Sequence, residues 1–476
     1  MAAAMGNDTG DPLPGDTGGT PATSGPTVDA PEPADPDARC APGRRMAAPM
    51  SDTAVAPRLT PGGRPRTSRA ARVVGRAGGA LGDQVLSSGT QLLLIVLVAR
   101  QADPTTLGAV SVALVAHGFL LGIVRAGVGE VVLLRCREDR SAAWFEGCRG
   151  LFLALLAGMV SATGLAAASA VIGGQVGWFL LLMAPAAPLI YMQDVLRYVA
   201  YGTGRVPDAI VGDGVWLVVQ VALSAWMLAA GNATPTRLVL AWVVGAAAGA
   251  LAMALPRRLW PRPAAVGRWW AQERARASGF VADFLASSGL WYCGFLLLGL
   301  IMSLEELGAL RVAIVSVSPL ANVLAGVRAL GLASLAGLRE QPVRARRRAV
   351  LIGLGLAAAA AVYGVGLVLL PDRWGSELFG ETWTEAASLV GIVALAEVMR
   401  LPTFAAIDLV KVLGRPVDLV RTRLTGGVGV IASMLLGAAL AGPRGAAAGT
   451  VVGYAWSELV WWRQGRSVGL RPASVP

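Results

Sequence analysis

Polar and titratable side chains stand inside the apolar runs of this 476-residue chain, where burial is unfavourable unless they have work to do or partners to meet. The stretch GDQVLSSGTQ, residues 82–91, places Asp83, Ser87 and Gln91 at i, i+4 and i+8 on one helical face, directly before the apolar LLLIVLVA. A related stretch, ADFLASSGLW, returns at 282–291 with Asp283 and Ser287 in register and Trp291 in place of Gln91. His117, the one histidine, falls ten residues into the next apolar run, ~15 Å deep by helical rise. There an imidazole either exchanges a proton or serves as an interhelical hydrogen bonder. Four arginines, Arg125, Arg197, Arg328 and Arg400, lie within or near apolar runs, with Glu130, Asp194, Glu397 and Asp408 close by. Such groups line a wet path, snorkel to the headgroups, or neutralise one another as i,i+3 pairs, as Asp194 with Arg197 and Glu397 with Arg400 can do.

The elements that must position them are membrane helices. The chain is 55% hydrophobic and 15% charged, against about 25% charged in soluble domains. Its apolar runs approach the ~20 residues that cross a bilayer core. They are solid with Leu, Val, Ala and Gly and do not alternate, so helices rather than barrel strands satisfy their backbone. The pattern gives an all-α membrane protein with twelve spans. Six lie near 80–99, 107–130, 149–172, 177–198, 208–230 and 238–255, and six near 279–301, 307–332, 349–370, 386–409, 418–440 and 445–462.

Arginine marks orientation. The net charge of +11 is almost all arginine, Lys411 being the one lysine; in a membrane protein this points to anionic lipid and loop placement, not nucleic acid. One side collects residues 58–76, 135–149, Arg205, 257–276, 339–348, 411–423 and 463–471; the other holds Arg100, Arg237, Arg373 and Arg444. Both termini are therefore expected in the cytoplasm of a multi-pass protein of the cell membrane. Residues 1–79 are expected to be a disordered cytoplasmic tail without a cleavable signal peptide, and Met46 or Met50 is an alternative start. The loop 256–277, with Trp260, Trp269 and Trp270 among arginines, is expected to lie at the membrane interface or to be an ordinary basic loop. Residues 463–476 form the cytoplasmic C-terminal tail.

Enzyme signatures are absent from the sequence. The single lysine follows valine, so no GK[ST] phosphate loop exists, and one histidine excludes HExxH and two-histidine metal centres. No metal and no cofactor is expected. Cys40, Cys136, Cys148 and Cys293 are scattered without a CxxC pair, which argues against a disulfide frame. Asp372, Glu377, Glu381 and Glu385, in the loop 371–385, read as a solvated surface.

The chain repeats itself. An offset of 200 residues superposes Asp83 on Asp283, Ser87-Ser88-Gly89 on Ser287-Ser288-Gly289, Leu107-Gly108-Ala109 on Leu307-Gly308-Ala309, and Val112-Ala113 on Val312-Ala313. GTGRVPDAI at 202–210 matches VLGRPVDLV at 412–420 with a slightly larger offset, aligning Asp208 with Asp418. Two six-helix repeats, 80–255 and 278–462, are thus expected to form two lobes around a central cavity, entering the membrane from the same face.

An Asp with small polar residues opening the first span, Ala99-Arg100 at its outer end, Leu107-Gly108-Ala109 opening the second, and MQDVLRYVAYGTGRVPDAIVGD at 192–213 resemble the polysaccharide and oligosaccharide-lipid exporters. These belong to the superfamily that also contains the multidrug and toxic-compound extruders. The resemblance spans about residues 80–470. It implies a flippase that carries a lipid-linked glycan from the cytoplasmic to the outer leaflet, by alternating access, for envelope polysaccharide synthesis, and not an enzyme. Its partners would be membrane lipid, a polyprenyl diphosphate glycan, and glycosyltransferases and a polymerase of the same pathway. Such a cargo calls for cations in the cavity, for which Arg125, Arg197, Arg328 and Arg400 are the candidates, since the guanidinium fork suits phosphate. Asp83, Ser87, Gln91, His117, Asp283 and Ser287 would line the path, and His117, Glu130, Asp194, Glu397 and Asp408 are candidates for ion coupling. For Ser87 and Ser287 the alternative is tight helix packing with hydroxyls bonded to backbone; for Asp83 and Asp283 it is helix capping. At the level of function the alternatives are a cation or drug antiporter, which favours acids over arginines in the cavity, and a polymerase or scaffold of an assembly complex.

Overall fold

The computed structural model describes residue 86 and residues 88–467, and gives backbone alone for residues 321–323, 325–330, 333 and 416. Asp83, Ser87, residues 1–79 and the end of the C-terminal tail lie outside the described residues, as does the side chain of Arg328. The described residues are helical, with no strand among them. After α1 (88–101) come α2 (Pro104–Val124), a π turn (Arg125–Gly129), α3 (Glu130–Glu138), α4 (Ala143–Ile172), α5 (Gly174–Met183), α6 (Ala186–Thr203), α7 (Val206–Ala229) and α8 (Pro235–Arg257). Then follow α9 (Val266–Phe284), a second π turn (Leu285–Gly289), α10 (Leu290–Leu298), α11 (Leu304–Ala336), α12 (Pro342–Val368), α13 (Asp372–Phe379), a 3₁₀ turn (Gly380–Thr382), α14 (Trp383–Leu413) and α15 (Pro416–Ser467).

Local chemistry sets the helix ends. The Asp103 carboxylate accepts from the Thr106 N–H at 2.8 Å, ahead of Pro104 in the first turn of α2. At the corresponding place before α11, the Ser303 hydroxyl accepts from the Glu306 N–H at 3.2 Å while the Glu306 carboxylate accepts from the Ser303 N–H at 2.9 Å, a capping box. Gly204, at φ 76°, closes α6 in the left-handed region that a side chain disfavours. Within α15 the backbone breaks at Ala441 and Gly442, the latter at φ 58°, immediately before Pro443.

The protein is a multi-pass membrane protein. Eight helical stretches are long and apolar enough to cross a bilayer, and the bent pair α5–α6, with 49° between its members, makes up to nine. Bulky residues such as Val160, Val171, Leu354, Val362 and Leu440 are exposed on outward helix faces, as a lipid solvent permits. Inside, one apolar cluster runs from Leu94 and Ile95 of α1 through Tyr191 of α6 to Leu307 and Val312 of α11. Around α12 and α14 the core divides into smaller groups, among them Leu356 with Leu401 and Ala349 with Leu409.

Two helices meet backbone to backbone. A methyl group added at Gly108 of α2 would collide with the Leu304 carbonyl, and one added at Gly308 of α11 would collide with the Pro104 carbonyl. Small residues permit this approach. The two contacts are counterparts under the 200-residue offset, so the crossing is reciprocal. Further along α2, Gly118 packs against Tyr292 of α10 and Gly122 against Phe284 of α9.

Candidate functional site

Arg125 begins the first π turn, a widening of the helix that is common at functional positions. Its Nε and Nη2 donate to the two oxygens of Asp194 on α6, at 3.0 and 2.7 Å. Asp194 also meets Nη1 of Arg197 at 3.4 Å, and Nε of Arg197 lies 3.3 Å from Asp213 on α7. Gln193 completes the group by donating to Asp213 at 2.7 Å. Two acids and two arginines thus join the π turn, α6 and α7. Asp194 is 3% exposed, yet the Arg125 side chain remains 41% exposed, and its Nη1 makes no hydrogen bond among the described residues. A guanidinium held bidentately from one side and open on the other can take a second oxyanion.

Around this network lie other charges foreseen from the sequence. Glu130, one turn beyond Arg125, is within electrostatic reach of Arg125 and of Asp283 on α9. Asp283 pairs with Arg423 of α15 and is 48% exposed. Gln91 is exposed on α1. Ser287, in contrast, donates to the Asp283 carbonyl at 2.6 Å, so its hydroxyl serves its own helix.

The remaining candidates stand apart from that group. Arg400 is held by Glu397 one turn away, with Nη2 at 2.6 Å, and its guanidinium carbon sits 5.2 Å from the Phe404 ring centre. Asp408 meets Lys411 at 3.7 Å. His117 is buried, its ring 5.5 Å from Tyr191 and 6.2 Å from Trp242, and neither ring nitrogen has a hydrogen-bond partner among the described residues.

Sequence reasoning passed over Asp213 and Arg311. Asp213 is fully buried, and Arg311 of α11 is 8% exposed. Both fall inside the spans expected near 208–230 and 307–332, so the rule that intramembrane charge marks function flags them as readily as the four arginines above. Gln220 of α7 is a third: it donates to the Thr90 carbonyl of α1 at 3.0 Å.

Outside the apolar runs, the Thr106 N–H bonded to Asp103 holds that carboxyl below its usual range. A second ionic group ties the start of α9 to α3 and α4: Trp269 Nε1 donates to Glu146 at 2.5 Å, Arg135 reaches both Glu146 and Glu273 at 3.6 Å, and Arg276 meets Glu138 at 3.2 Å. Trp260 and Trp270 are exposed beside it. Two concavities, of about 430 and 590 Å³, open near Pro402 and Trp462 and near Thr203 and Arg257; none of Arg125, Arg197, Arg311 and Arg400 lines either.

No family model matches the chain, and no curated protein matches it in sequence. Solved structures do. The chain is similar to an inward-facing multidrug-resistance MATE transporter of the MOP superfamily, with a TM-score of 0.65 at 13% identity, covering 81% of this chain and 94% of that one. It is similar to the lipid II flippase MurJ in an inward closed conformation, with a TM-score of 0.64 at 10% identity, covering 83% and 90%. A MOP-superfamily transporter from Pyrococcus furiosus, described as having a binding pocket of reversed polarity, superposes with a TM-score of 0.57 at 12% identity, covering 83% and 94%. The likeness shows the fold: the chain folds as the transporters of the MOP superfamily do. These neighbours are transporters and flippases rather than enzymes.

Proposed function

We propose that the protein is a flippase of the cell membrane that moves a lipid-linked oligosaccharide from the cytoplasmic to the outer leaflet between two six-helix lobes. The observation that carries this reading is Arg125, an arginine within an apolar run that is anchored by Asp194 while its side chain stays 41% exposed. A diphosphate can occupy that open side, and the sugars can follow the polar surface of Gln91, Glu130 and Asp283. Membrane lipid keeps the polyprenyl tail, and glycosyltransferases and a polymerase of the same pathway supply and consume the cargo. MurJ, with a similar fold, is a lipid II flippase.

Twelve spans follow when α1 and α11 are added, α5–α6 is taken as one span, and α15 is divided at Ala441–Gly442, where its backbone leaves helical geometry. The reciprocal crossing of α2 and α11 supports two related halves, 80–255 and 278–462, joined by 256–277. The arginine distribution supports a cytoplasmic location for the tails 1–79 and 463–476. Arg328 is the counterpart candidate on α11. His117, Glu130, Asp194, Glu397 and Asp408 remain the candidates for ion coupling.

A specific observation favours the extruder reading as well. Glu130, Asp194, Asp213 and Asp283 outnumber the arginines they lie near, Arg125, Arg197 and Arg423, and acids suit a cationic drug. Pocket polarity distinguishes functions in this fold, as the Pyrococcus furiosus transporter is said to illustrate.

The test is reconstitution in liposomes with a lipid-linked sugar, its leaflet read by an impermeant probe. Changing Arg125 and Arg328 together to Gln is expected to slow flipping by roughly tenfold or more; an unchanged rate rejects the arginine site. Replacing His117 with Ala is expected to remove the pH dependence of transport, and a preserved dependence removes His117 from coupling.

A further inference from the structure

The larger concavity, about 590 Å³, belongs neither to the Arg125 group nor to the crossing of α2 and α11. Its walls are the α3–α4 turn, the α6–α7 turn and the end of α8. Helix α8 runs for 23 residues, or ~34 Å by helical rise, enough to cross a ~30 Å hydrocarbon core. Arg257, its last residue, therefore stands at headgroup depth, and the two turns that share its concavity stand level with it.

Three arginines and one acid line the space: Arg140, Arg205, Arg257 and Asp208. Arg257 is already engaged, its Nε and Nη2 donating to the two oxygens of Asp208 at 3.1 and 3.0 Å. Arg140 and Arg205 are exposed and make no ion pair among the described residues. The chain brings them together, since a Cβ on Gly204, the residue before Arg205, would lie 3.9 Å from Nη2 of Arg140. Two cations on one concavity thus face no carboxylate of their own.

Beneath them the floor is apolar, with Leu196, Val199 and Met253 buried. One wall is built against backbone strain: Arg258 has φ 51°, in the left-handed region that a side chain disfavours. That turn sends the chain back onto α4, where the Arg262 N–H donates to the Cys148 carbonyl at 3.1 Å. The Arg262 guanidinium lies 4.5 Å from the Trp144 ring centre, and Trp144 Nε1 donates to the Arg257 carbonyl at 3.3 Å. Phe145, Leu255 and Trp260, each next in the chain to a residue of the lining, are exposed. A cationic rim, an apolar floor and an apolar flank at headgroup depth fit an amphiphile with a negative head. A free phosphate would leave the floor and the flank unused.

We propose that this concavity binds the phosphate of an anionic glycerophospholipid through Arg140 and Arg205, with the acyl chains against Phe145, Leu255 and Trp260. The lipid is a resident neighbour rather than cargo, and it clamps the α3–α4 turn, the α6–α7 turn and α8 together.

The test uses the full-length protein in detergent, with phosphatidylglycerol or phosphatidylcholine added and bound lipid counted by native mass spectrometry. The wild type is expected to hold one phosphatidylglycerol roughly tenfold or more tightly than phosphatidylcholine. Arg140→Gln with Arg205→Gln is expected to abolish that preference, and Arg140→Lys with Arg205→Lys to keep part of it. Arg268→Gln with Arg274→Gln removes the same charge from exposed positions outside the concavity and should leave the preference within about twofold of the wild type. Thermal unfolding without added lipid should be alike in the wild type and the Gln pair, which separates binding from misfolding; Arg205→Gln alone repeats the measurement with a milder change. No preference in the wild type, an undiminished one in the Gln pair, or equal losses from both pairs of substitutions overturns the proposal. So does displacement of the lipid by an equal concentration of glycerol phosphate, which makes the site one for free phosphate, or a stronger hold on a polyprenyl diphosphate, which makes it a cargo site.

Discussion

The ionic group at Arg125 joins three stretches of the first half, whereas its counterpart at Arg400 closes within a single helical turn of the second. Both halves carry the same i,i+3 motif, Asp194 with Arg197 and Glu397 with Arg400. Among the described residues, Asp194 turns outward to another helix and fastens Arg125, while Glu397 holds Arg400 of its own helix. The fifth span of each half shows the same divergence: the offset that sets Asp208 on Asp418 sets Asp213 on Arg423. Asp213 meets Arg197 inside the first half, while Arg423 reaches Asp283 on α9. Acid and base have changed places on a shared scaffold. At positions matched in the sequence the local partner decides what a charge meets: Asp213 braces Arg197, while Arg423 reaches Asp283.

Mutation can break this contrast. Replacing Asp194 with Ala strips a partner from two arginines at once, one of them deeply buried; the expected loss is about 3–5 kcal/mol of stability. Glu397→Ala removes a pair made within one helix, for which roughly 1–2 kcal/mol is expected. Unfolding of the two variants side by side checks the order, and equal losses would erase the distinction between the halves.

The crossing of α2 and α11 offers a symmetrical counter-case, since there the two halves agree. Gly308→Leu forces a side chain against the Pro104 carbonyl, with an overpacking strain of about 1–3 kcal/mol. A cysteine placed at Val112, in a background free of native cysteines, is expected to become more accessible to an impermeant thiol reagent. Unaltered labelling would mean that the contact does not seal anything.

The smallest effect concerns the caps that precede these two helices. Asp103→Ala is expected to cost about 1 kcal/mol. Its carboxyl is held below the ordinary value of 3.8, so the charged form is the one the fold favours. That contribution is present above the ordinary carboxylate range and is lost as pH falls through the lowered value. The difference between wild type and Asp103→Ala should hence vanish in acid.

Much of this arrangement was legible in the residues. Uninterrupted apolar runs announce helices, and Leu107-Gly108-Ala109 repeated at Leu307-Gly308-Ala309 marks the two places that touch. What the pattern leaves open is rotation about each helix axis. Ser287 is exposed with its hydroxyl bonded to its own helix, the alternative that spacing alone leaves open, and His117 lies against the Tyr191 and Trp242 rings. Arg311 has no like residue at position 111, and Asp213 faces an arginine under the offset, so a search for matching pairs slides past both. Apolar periodicity is nearly flat in helices that are greasy all round, and it cannot say which side meets lipid and which meets a neighbour.

One preparation distinguishes a glycolipid cargo from a cationic drug. Liposomes containing the protein, loaded with both a lipid-linked oligosaccharide and a fluorescent cationic drug, allow leaflet exchange and dye efflux to be followed together. The glycolipid is expected to reach the opposite leaflet at a rate far above that in protein-free vesicles while the dye stays where it was. Dye efflux driven by an imposed ion gradient, with the glycolipid left in its original leaflet, would contradict it and make the acids around Arg125 the functional charges.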